Sequence, residues 1–216
     1  MSVGTETYRV TQEDHARISQ AIREAERRTS GEVIAVVAHQ SDDYFFVAGF
    51  MAALWSLTLG CLIALLSPYF AMQISLSLLA AAQLASLISC LLLFRALPGF
   101  KMIFVPRSVS YKRASNNAVR QFLARGIHTT EDRTGVLIFV SIAEHYAEVV
   151  ADEGINRKVD QKDWDDMVGD LVDHARNDRL ADGFVSAIAR SGEILGQHFP
   201  VQDKQVNELD DRLIEI

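Results

Sequence analysis

Two long uncharged apolar runs interrupt a chain whose other segments mix polar and apolar positions. Phe45–Leu66 is 22 residues long, Ile74–Phe94 is 21, and only residues 67–73 separate them. At about 1.5 Å per residue, each run would span roughly 30 Å as a helix, the thickness of a bilayer's hydrocarbon core. Neither run has the polar stripe of an amphipathic core helix. The pattern therefore predicts a transmembrane hairpin over residues 45–97, in preference to two buried core helices.

Outside the hairpin, apolar positions at spacings of three and four predict helices. Residues 11–29 begin with Thr11 and Asp14, which resemble a capping box. The same spacing recurs in three later segments, 108–125, 160–177 and 180–199. The first of these is expected to turn three apolar side chains toward the core, Val119, Phe122 and Leu123. In the second, Asp160 is expected to cap the helix, with Asp163 at the box position.

Strands are predicted where short apolar runs are rich in β-branched residues. Residues 32–39 and 134–142 are nearly continuous apolar runs, which is typical of strands buried on both faces, and 147–152 is expected to pair back as an antiparallel neighbour. If the first two strands pair in parallel, the hairpin lies within the crossover between them. The predicted fold class is α/β, with helices flanking a central sheet.

These patterns divide the chain into three regions. Residues 1–44 and 98–200 are predicted to form one discontinuous α/β domain, and residues 45–97 form the hairpin that interrupts it. Residues 201–216 are left as an acidic tail.

Charge is distributed unevenly along the chain, which has a net charge of −7. Residues 95–130 contain seven Lys and Arg and no acid, whereas residues 131–216 contain 20 acids and nine bases. Bases next to a span favour the cytoplasmic side and anionic lipid headgroups, and loop 67–73 has none. The expected topology has two spans, a short external loop at 67–73 and both termini in the cytoplasm. No basic face is expected away from the membrane, so nucleic acid is not an expected partner.

Several cofactor classes have no sequence signature here. Cys61 and Cys90 both lie within the apolar runs, and the six histidines show no HxxxH or HExxH pairing. The GxGxxG, P-loop and GxSxG motifs are also absent. We therefore expect no nucleotide, haem or zinc, and no catalytic motif identifies the chain as an enzyme.

Acidic residues cluster at both edges of the predicted sheet. The outgoing edge, at the carboxyl ends of the parallel strands, should carry Ser41, Asp42, Asp43, Ser141, Glu144 and His145. Ligands of open α/β sheets bind at this edge, and carboxylates bind hard cations. The alternative is a solvated turn whose charges end the strand.

The distal edge, opposite the first, is the other candidate cation site. It should bring together three acidic segments, Ser30-Gly31-Glu32, Glu131-Asp132-Arg133 and Asp152-Glu153-Gly154. The expected cation ligands are Glu32, Asp132 and Asp152 at this edge, with Asp42, Asp43 and Glu144 at the outgoing edge as the second candidate set. The alternative at the distal edge is ordinary turn and cap chemistry with surface ion pairs.

The ordered segments of the chain resemble a known family. The series TSGEVIAVV, FLARGIHTTEDRTGVLIFVS, AEVVADEGI and WDDMVGDLVDHARNDRLADGFVSAIARSGEILGQHFP resembles the TPM domain family over residues 10–200, apart from the hairpin. It is similar to the bacterial branch in which two spans interrupt the domain after its first strand. The resemblance implies a Rossmann-like α/β/α sandwich. It also implies calcium binding or weak acid phosphatase activity in some members, and accessory roles at membranes in others.

Two functional hypotheses follow from these features. The favoured one is a membrane-anchored, cytoplasm-facing accessory or interaction module that binds Ca²⁺. Its partners would be the lipid bilayer and a membrane protein or a second copy of the chain, because small residues in the spans allow close helix packing. The alternative is a metal-dependent phosphatase of low activity, in which a carboxylate-bound ion activates water.

Overall fold

The computed structural model describes residues 10–70, 74–97, 101–130, 133–201 and 209–216. The chain forms two compact units. The α/β unit comprises Met1–Asp42 and Ser108–Ile216, and the helical unit comprises Asp43–Arg107.

Helices and strands follow one another close to the predicted bounds. In chain order they are α1 (Gln12–Glu26), β1 (Glu32–Ala38), α2 (Phe45–Leu66), α3 (Leu76–Ala96), α4 (Arg107–Ala124), β2 (Gly135–Ser141), β3 (Tyr146–Ala151), α5 (Glu153–Asn156), α6 (Gln161–Arg176), α7 (Leu180–His198) and β4 (Leu213–Glu215). Single 3₁₀ turns occur at Ser67–Phe70 and Ile127–Thr129.

The four strands of the α/β unit form one sheet in the order β3-β2-β1-β4. β1 pairs with β2 in parallel, from Glu32 opposite Gly135 to Ala38 opposite Ser141. β2 pairs with β3 in the antiparallel sense. The antiparallel pairing was predicted from the sequence and is confirmed. The parallel pairing, which the sequence analysis took only as a condition, is present as well. The mixed α/β class is confirmed as well.

The fourth strand was not predicted. The last residues, which sequence analysis left in an acidic tail, pair with β1 in parallel through Leu213–Glu215. The Glu215 carboxylate reaches two histidines, with Oε1 2.6 Å from His15 Nε2 and Oε2 3.4 Å from His39 Nε2. A strand of three residues is too short to produce a periodic pattern, so the sequence gives no signal for β4. The strand is recognised only in the folded sheet, where it pairs with the edge of β1.

Both faces of β1 and β2 are covered by helices. Alternate strand residues such as Val33 and Ile138 pack with side chains from α1, α6 and α7. The intervening residues, such as Ile34 and Phe139, pack with Ala118 and Phe122 of α4 and with the Ile127 turn. Because alternate strand residues point to opposite faces, α4 lies on one side of the sheet and α1, α6 and α7 lie on the other.

Helix α4 buries a different face from the one predicted. Phe122 is buried as expected, but Val119 and Leu123 are 44% and 53% exposed. The buried side is instead lined by small and polar residues, Ser110, Ala114, Asn117 and Ala118. Helical spacing alone allowed either face, and the bulk of Val119 and Leu123 favoured the wrong one.

Helix capping agrees with the sequence at α1 and differs at α6. Thr11 and Asp14 form the reciprocal capping box before α1. Asp160 is the N-cap residue of α6, but its side chain makes no capping hydrogen bond, so the predicted box with Asp163 is absent.

Among the described residues, the helical unit contains two helices long and apolar enough to cross a membrane. They pack through small groups, and Ser56 Oγ donates a 2.8 Å hydrogen bond to the Gln83 carbonyl. Ala48, Ala52 and Phe94 form a small cluster between them. Most of the large apolar side chains of these two helices are exposed.

Candidate functional site

A buried polar network lies at the outgoing edge, where β1 and β2 end. Ser141 is the last residue of β2, Glu144 lies in the turn toward β3, and Ser41 follows β1. The Ser41 backbone N–H donates to Glu144 Oε1 at 3.0 Å, and the Ser41 and Ser141 hydroxyls are 2.7 Å apart. The Ser141 hydroxyl donates to Glu144 Oε2. One carboxylate therefore joins two strand ends that are about 100 residues apart in the chain.

Helix α4 completes this network from the face it covers. Asn117 Nδ2 donates to the Ser41 hydroxyl at 3.3 Å, and Gln121 Nε2 donates to Asn117 Oδ1 at 3.4 Å. Glu144 is 4% exposed, Ser141 is 0% and Asn117 is 6%. A carboxylate this deeply buried is stable only with hydrogen bonds, which the serine groups supply. The network is a polar cluster in which hydroxyl, amide and carboxylate groups are joined by hydrogen bonds.

The other residues predicted for the outgoing edge have different surroundings. Asp42 pairs with Arg113 of α4, with 3.3 Å between Oδ2 and Nε. Asp43 belongs to the helical unit, where its Oδ1 accepts a 3.1 Å hydrogen bond from the Phe45 N–H. His145 is exposed at a turn with φ 50°. Within the described residues, no three His, Cys, Asp or Glu side chains form a cation-binding group.

A second polar group beneath α4 was missed by sequence analysis. Ser115 Oγ donates to Glu148 Oε1 at 3.3 Å, and the Tyr111 and Tyr146 rings lie 5.2 Å apart. Burial raises the pKa of Tyr146 to about 12, with a further contribution from the Glu148 charge and an opposing one from Ser115. The alternation of Tyr146, Glu148 and Val150 along β3 was the available signal, because these three residues share one face.

The distal edge places two of the predicted acids on either side of β2. Glu32 lies opposite Gly135, and the Asp152 N–H donates to the Gly135 carbonyl at 3.0 Å on the other side. Glu32 is 3% exposed and Asp152 is 5% exposed. The predicted residues Glu131 and Asp132 lie outside the described part of the chain.

The Asp152 carboxylate is only partly satisfied by the residues around it. Oδ1 accepts a 2.6 Å hydrogen bond from the Glu153 N–H and lies 3.6 Å from Arg133 Nη1. Oδ2 is buried and accepts no hydrogen bond from the residues that the structure describes. Glu153, by contrast, turns outward to Arg157, which holds its pKa below the ordinary value. Asp152 therefore offers one buried oxygen that a cation could take.

Glu26, near the end of α1, is an ionisable group that sequence analysis missed. Burial raises its pKa from 4.5 to about 8, against the lowering effect of a 3.1 Å hydrogen bond from the Val33 N–H. The negative charges of Glu32 and Asp211 raise the pKa further. Glu26 thus adds a carboxyl group with a raised pKa to the acids near the start of β1.

The fold and these sites define a mixed α/β protein that carries two apolar helices. The family model of the TPM domain matches residues 78–194, more than half of the chain. The chain therefore belongs to the TPM domain family. The match omits α1 and β1, which the resemblance described above had included.

One solved structure shares this fold over the whole chain. It is the NMR structure of the BA42 protein from the psychrophilic bacterium Bizionia argentinensis, with a TM-score of 0.58 and 17% sequence identity. The alignment covers 100% of this chain and 99% of that one. No curated protein matches the sequence.

Glu144→Ala should destabilise the α/β unit by about 2–3 kcal/mol, because it leaves the Ser41 N–H and the Ser141 hydroxyl buried without their acceptor. Glu144→Gln, which keeps an acceptor, should cost about 1 kcal/mol. Urea unfolding in detergent, followed by Trp164 fluorescence in a Trp55→Phe background, measures both. Glu153→Ala, which removes an exposed carboxylate, is the matched control and should change stability by less than about 1 kcal/mol. Equal effects at 144 and 153 would contradict the structural role of Glu144.

The pKa of Glu26 predicts a pH dependence of folding. The folded state keeps the Glu26 proton up to about pH 8, whereas the unfolded chain releases it near its ordinary pKa of 4.5. Stability from this group is therefore full below pH 4.5 and falls as pH rises toward 8, by about 1.4 kcal/mol per pH unit. Glu26→Gln should flatten that slope and stabilise the fold at pH 8, whereas Glu24→Gln, an exposed change in the same helix, should leave it intact. Unfolding curves across this pH range that coincide for wild type and Glu26→Gln would refute the assignment.

Proposed function

We propose that this TPM-domain protein is a membrane-anchored accessory module whose α/β unit faces the cytoplasm. The observation that carries the proposal is the apolar surface of α2 and α3, which are 22 and 21 residues long. Large side chains stay exposed on both helices, from Phe45 at 70% to Leu76 at 86%. A lipid environment would cover that surface, whereas water would not.

The architecture proposed for the chain is a Rossmann-like α/β/α sandwich with a hairpin inserted after its first strand. Two features support it: helices cover both faces of the sheet, and α2 and α3 follow β1 in the chain. On this arrangement the α/β unit lies on one side of the bilayer, since the chain leaves and returns through the hairpin. The bases in the last turn of α3 and after it, beginning with Arg95, support the cytoplasmic side.

An accessory role is favoured over catalysis by the character of the outgoing edge. The hydroxyls of Ser41 and Ser141 are hydrogen-bonded to each other, and the Ser141 hydroxyl also donates to the buried Glu144 carboxylate. Both hydroxyls therefore take part in interactions that stabilise the fold. The proposed partner is another membrane protein or a second copy of this chain. Small exposed residues of α3, such as Ala81 and Ala82, would allow close helix packing in either case.

Calcium at the distal edge is a further part of the proposal, with Asp152 as its central ligand. The support is the buried Asp152 Oδ2, which accepts no hydrogen bond from the described residues. Glu32 lies in register two strands away, and Asp132 immediately precedes Arg133, the ion-pair partner of Asp152. Carboxylate oxygens are the ligands that Ca²⁺ prefers. The same site would hold the metal of the alternative, a phosphatase of low activity.

Membrane insertion and sidedness can be tested together by cysteine labelling. In a Cys61→Ala, Cys90→Ala background, Tyr69→Cys should react with an impermeant maleimide from outside intact cells, because Tyr69 is 85% exposed in the connection between the spans. Asp178→Cys in the α/β unit should react only after permeabilisation. The protein should also resist extraction by alkaline carbonate. The reverse labelling pattern would overturn the orientation, and release by carbonate would overturn the anchor.

Calorimetry and an enzyme assay separate the calcium proposal from the phosphatase alternative. Purified full-length protein should bind Ca²⁺ with a dissociation constant of about 1 mM or lower, the range of weak extracellular and sensor sites. Asp152→Asn should abolish the binding heat, and Asp42→Asn, a matched change at the outgoing edge, should retain it. No heat at that concentration would refute calcium binding. Turnover of a generic phosphomonoester with Mg²⁺ or Mn²⁺, lost in Asp152→Asn, would favour the alternative.

A further inference from the structure

The helices on the two sides of the sheet carry opposite charge. Helix α4 contains four cations, Arg107, Lys112, Arg113 and Arg120, and no acid. On the other side, α6 contains five aspartates against Lys162 and Arg176. A domain with this asymmetry has a preferred orientation next to a charged surface.

The outer face of α4 combines its cations with apolar side chains. Lys112, Asn116, Val119 and Leu123 follow one another at intervals of four, three and four, so they form a single stripe along the helix. Val119 is 44% exposed and Leu123 is 53% exposed. Arg120 lies beside this stripe, and Tyr111, which is 41% exposed, lies at its other border. Exposed cations mixed with apolar and aromatic groups on one helical face are typical of helices that lie in a membrane interface.

Two of these cations are available for a partner. In the described part of the chain, no ion pair includes Lys112 or Arg120, whereas Arg113 is paired with Asp42 at 3.3 Å. Both available side chains are exposed. The stripe of Lys112, Asn116, Val119 and Leu123, with Arg120, is called the α4 outer face below.

The chain itself supplies the argument for which surface this face meets. Helix α3 ends at Ala96 and α4 begins at Arg107, so ten residues, 97–106, connect them. A connection of that length reaches at most about 35 Å, even fully extended. If α3 crosses a bilayer, the start of α4 therefore lies within that distance of the bilayer surface, and the charge of α4 is complementary to anionic headgroups.

We infer that the α4 outer face rests on an anionic lipid surface and orients the α/β unit, an inference that rests on the proposed membrane anchor. Lys112 and Arg120 contact headgroup phosphates, and Val119 and Leu123 enter the boundary between headgroups and acyl chains. The acidic face of α6, on the other side of the sheet, then points into the aqueous phase. The anchor would fix the position of the unit, and the α4 outer face would fix its rotation.

The test uses the full chain in lipid nanodiscs, which leave both membrane faces open to solution. An environment-sensitive fluorophore is attached at Asn116→Cys in the Cys61→Ala, Cys90→Ala background. The control site is Gly169→Cys on α6, where an added side chain meets no other atom within 4 Å. In nanodiscs rich in phosphatidylglycerol, the label at 116 should shift to the blue and lose most of its quenching by aqueous acrylamide. In phosphatidylcholine nanodiscs it should be quenched freely, and the label at 169 should be quenched freely in both.

Charge reversal and salt test whether electrostatic attraction holds the α4 outer face to anionic lipid. Lys112→Glu combined with Arg120→Glu should abolish the protection at 116. Raising the ionic strength should reduce that protection in the labelled chain that keeps Lys112 and Arg120. Lys162→Glu combined with Arg176→Glu makes the same change in net charge on α6 and should preserve the protection.

The other possible outcomes refute either the lipid contact of α4 or the membrane anchor. Equal quenching at 116 in both lipids, or protection at 169 in place of 116, overturns the inference. Extraction of the same protein by alkaline carbonate tests the membrane anchor separately from the lipid contact of α4. A chain that resists extraction while 116 stays exposed refutes the lipid contact and leaves the proposed function intact. A chain that is extracted refutes the anchor and the inference with it.

Discussion

The parallel pairing of β1 with β2 is the interaction on which the rest of the structure depends. Seven residue pairs, from Glu32–Gly135 to Ala38–Ser141, join segments that the two apolar helices separate in the chain. Both strands are buried along their full length, so their backbone groups can be satisfied only by neighbouring strands. Closing so long a connection costs entropy, which the burial of two apolar strands offsets. The same register brings Ser41 to Ser141 at one edge and Glu32 beside Gly135 at the other.

The acids at the two edges of the sheet have different surroundings. At the outgoing edge, both carboxylate oxygens of Glu144 accept hydrogen bonds that hold the strand ends together. Glu144 therefore stabilises the fold. At the distal edge, Asp152 has a buried oxygen that accepts no hydrogen bond from the described residues. Near the start of β1, burial raises the pKa of Glu26 because it disfavours the charged form. The helical layers divide in the same way: α4 is basic and α6 is acidic. Position within the sheet thus gives chemically similar acids different roles.

Much of the fold was predictable because its elements leave periodic or continuous patterns. The buried strands, the amphipathic α6 and the two apolar helices were all found near their observed bounds. The errors arose where the same sequence pattern is compatible with more than one arrangement of the side chains. Val119 and Leu123 face outward because α4 packs through Ala114, Asn117 and Ala118, and small residues carry little weight in a hydrophobic pattern. Adjacent Asp42 and Asp43 were grouped as one candidate site, yet Asp42 pairs with Arg113, and Asp43 caps the turn into α2.

The sequence by itself determined the class of the protein. Apolar length defined the two long helices, β-branched runs defined the buried strands, and an acid-free stretch defined the basic segment around α4. These properties are local, because each depends on residues close together in the chain. Only the tertiary structure decided that Glu144 is buried, that burial raises the pKa of Glu26, and that the last residues add a strand to β1. Those outcomes depend on desolvation and on partners distant in sequence, which no local pattern of residues encodes.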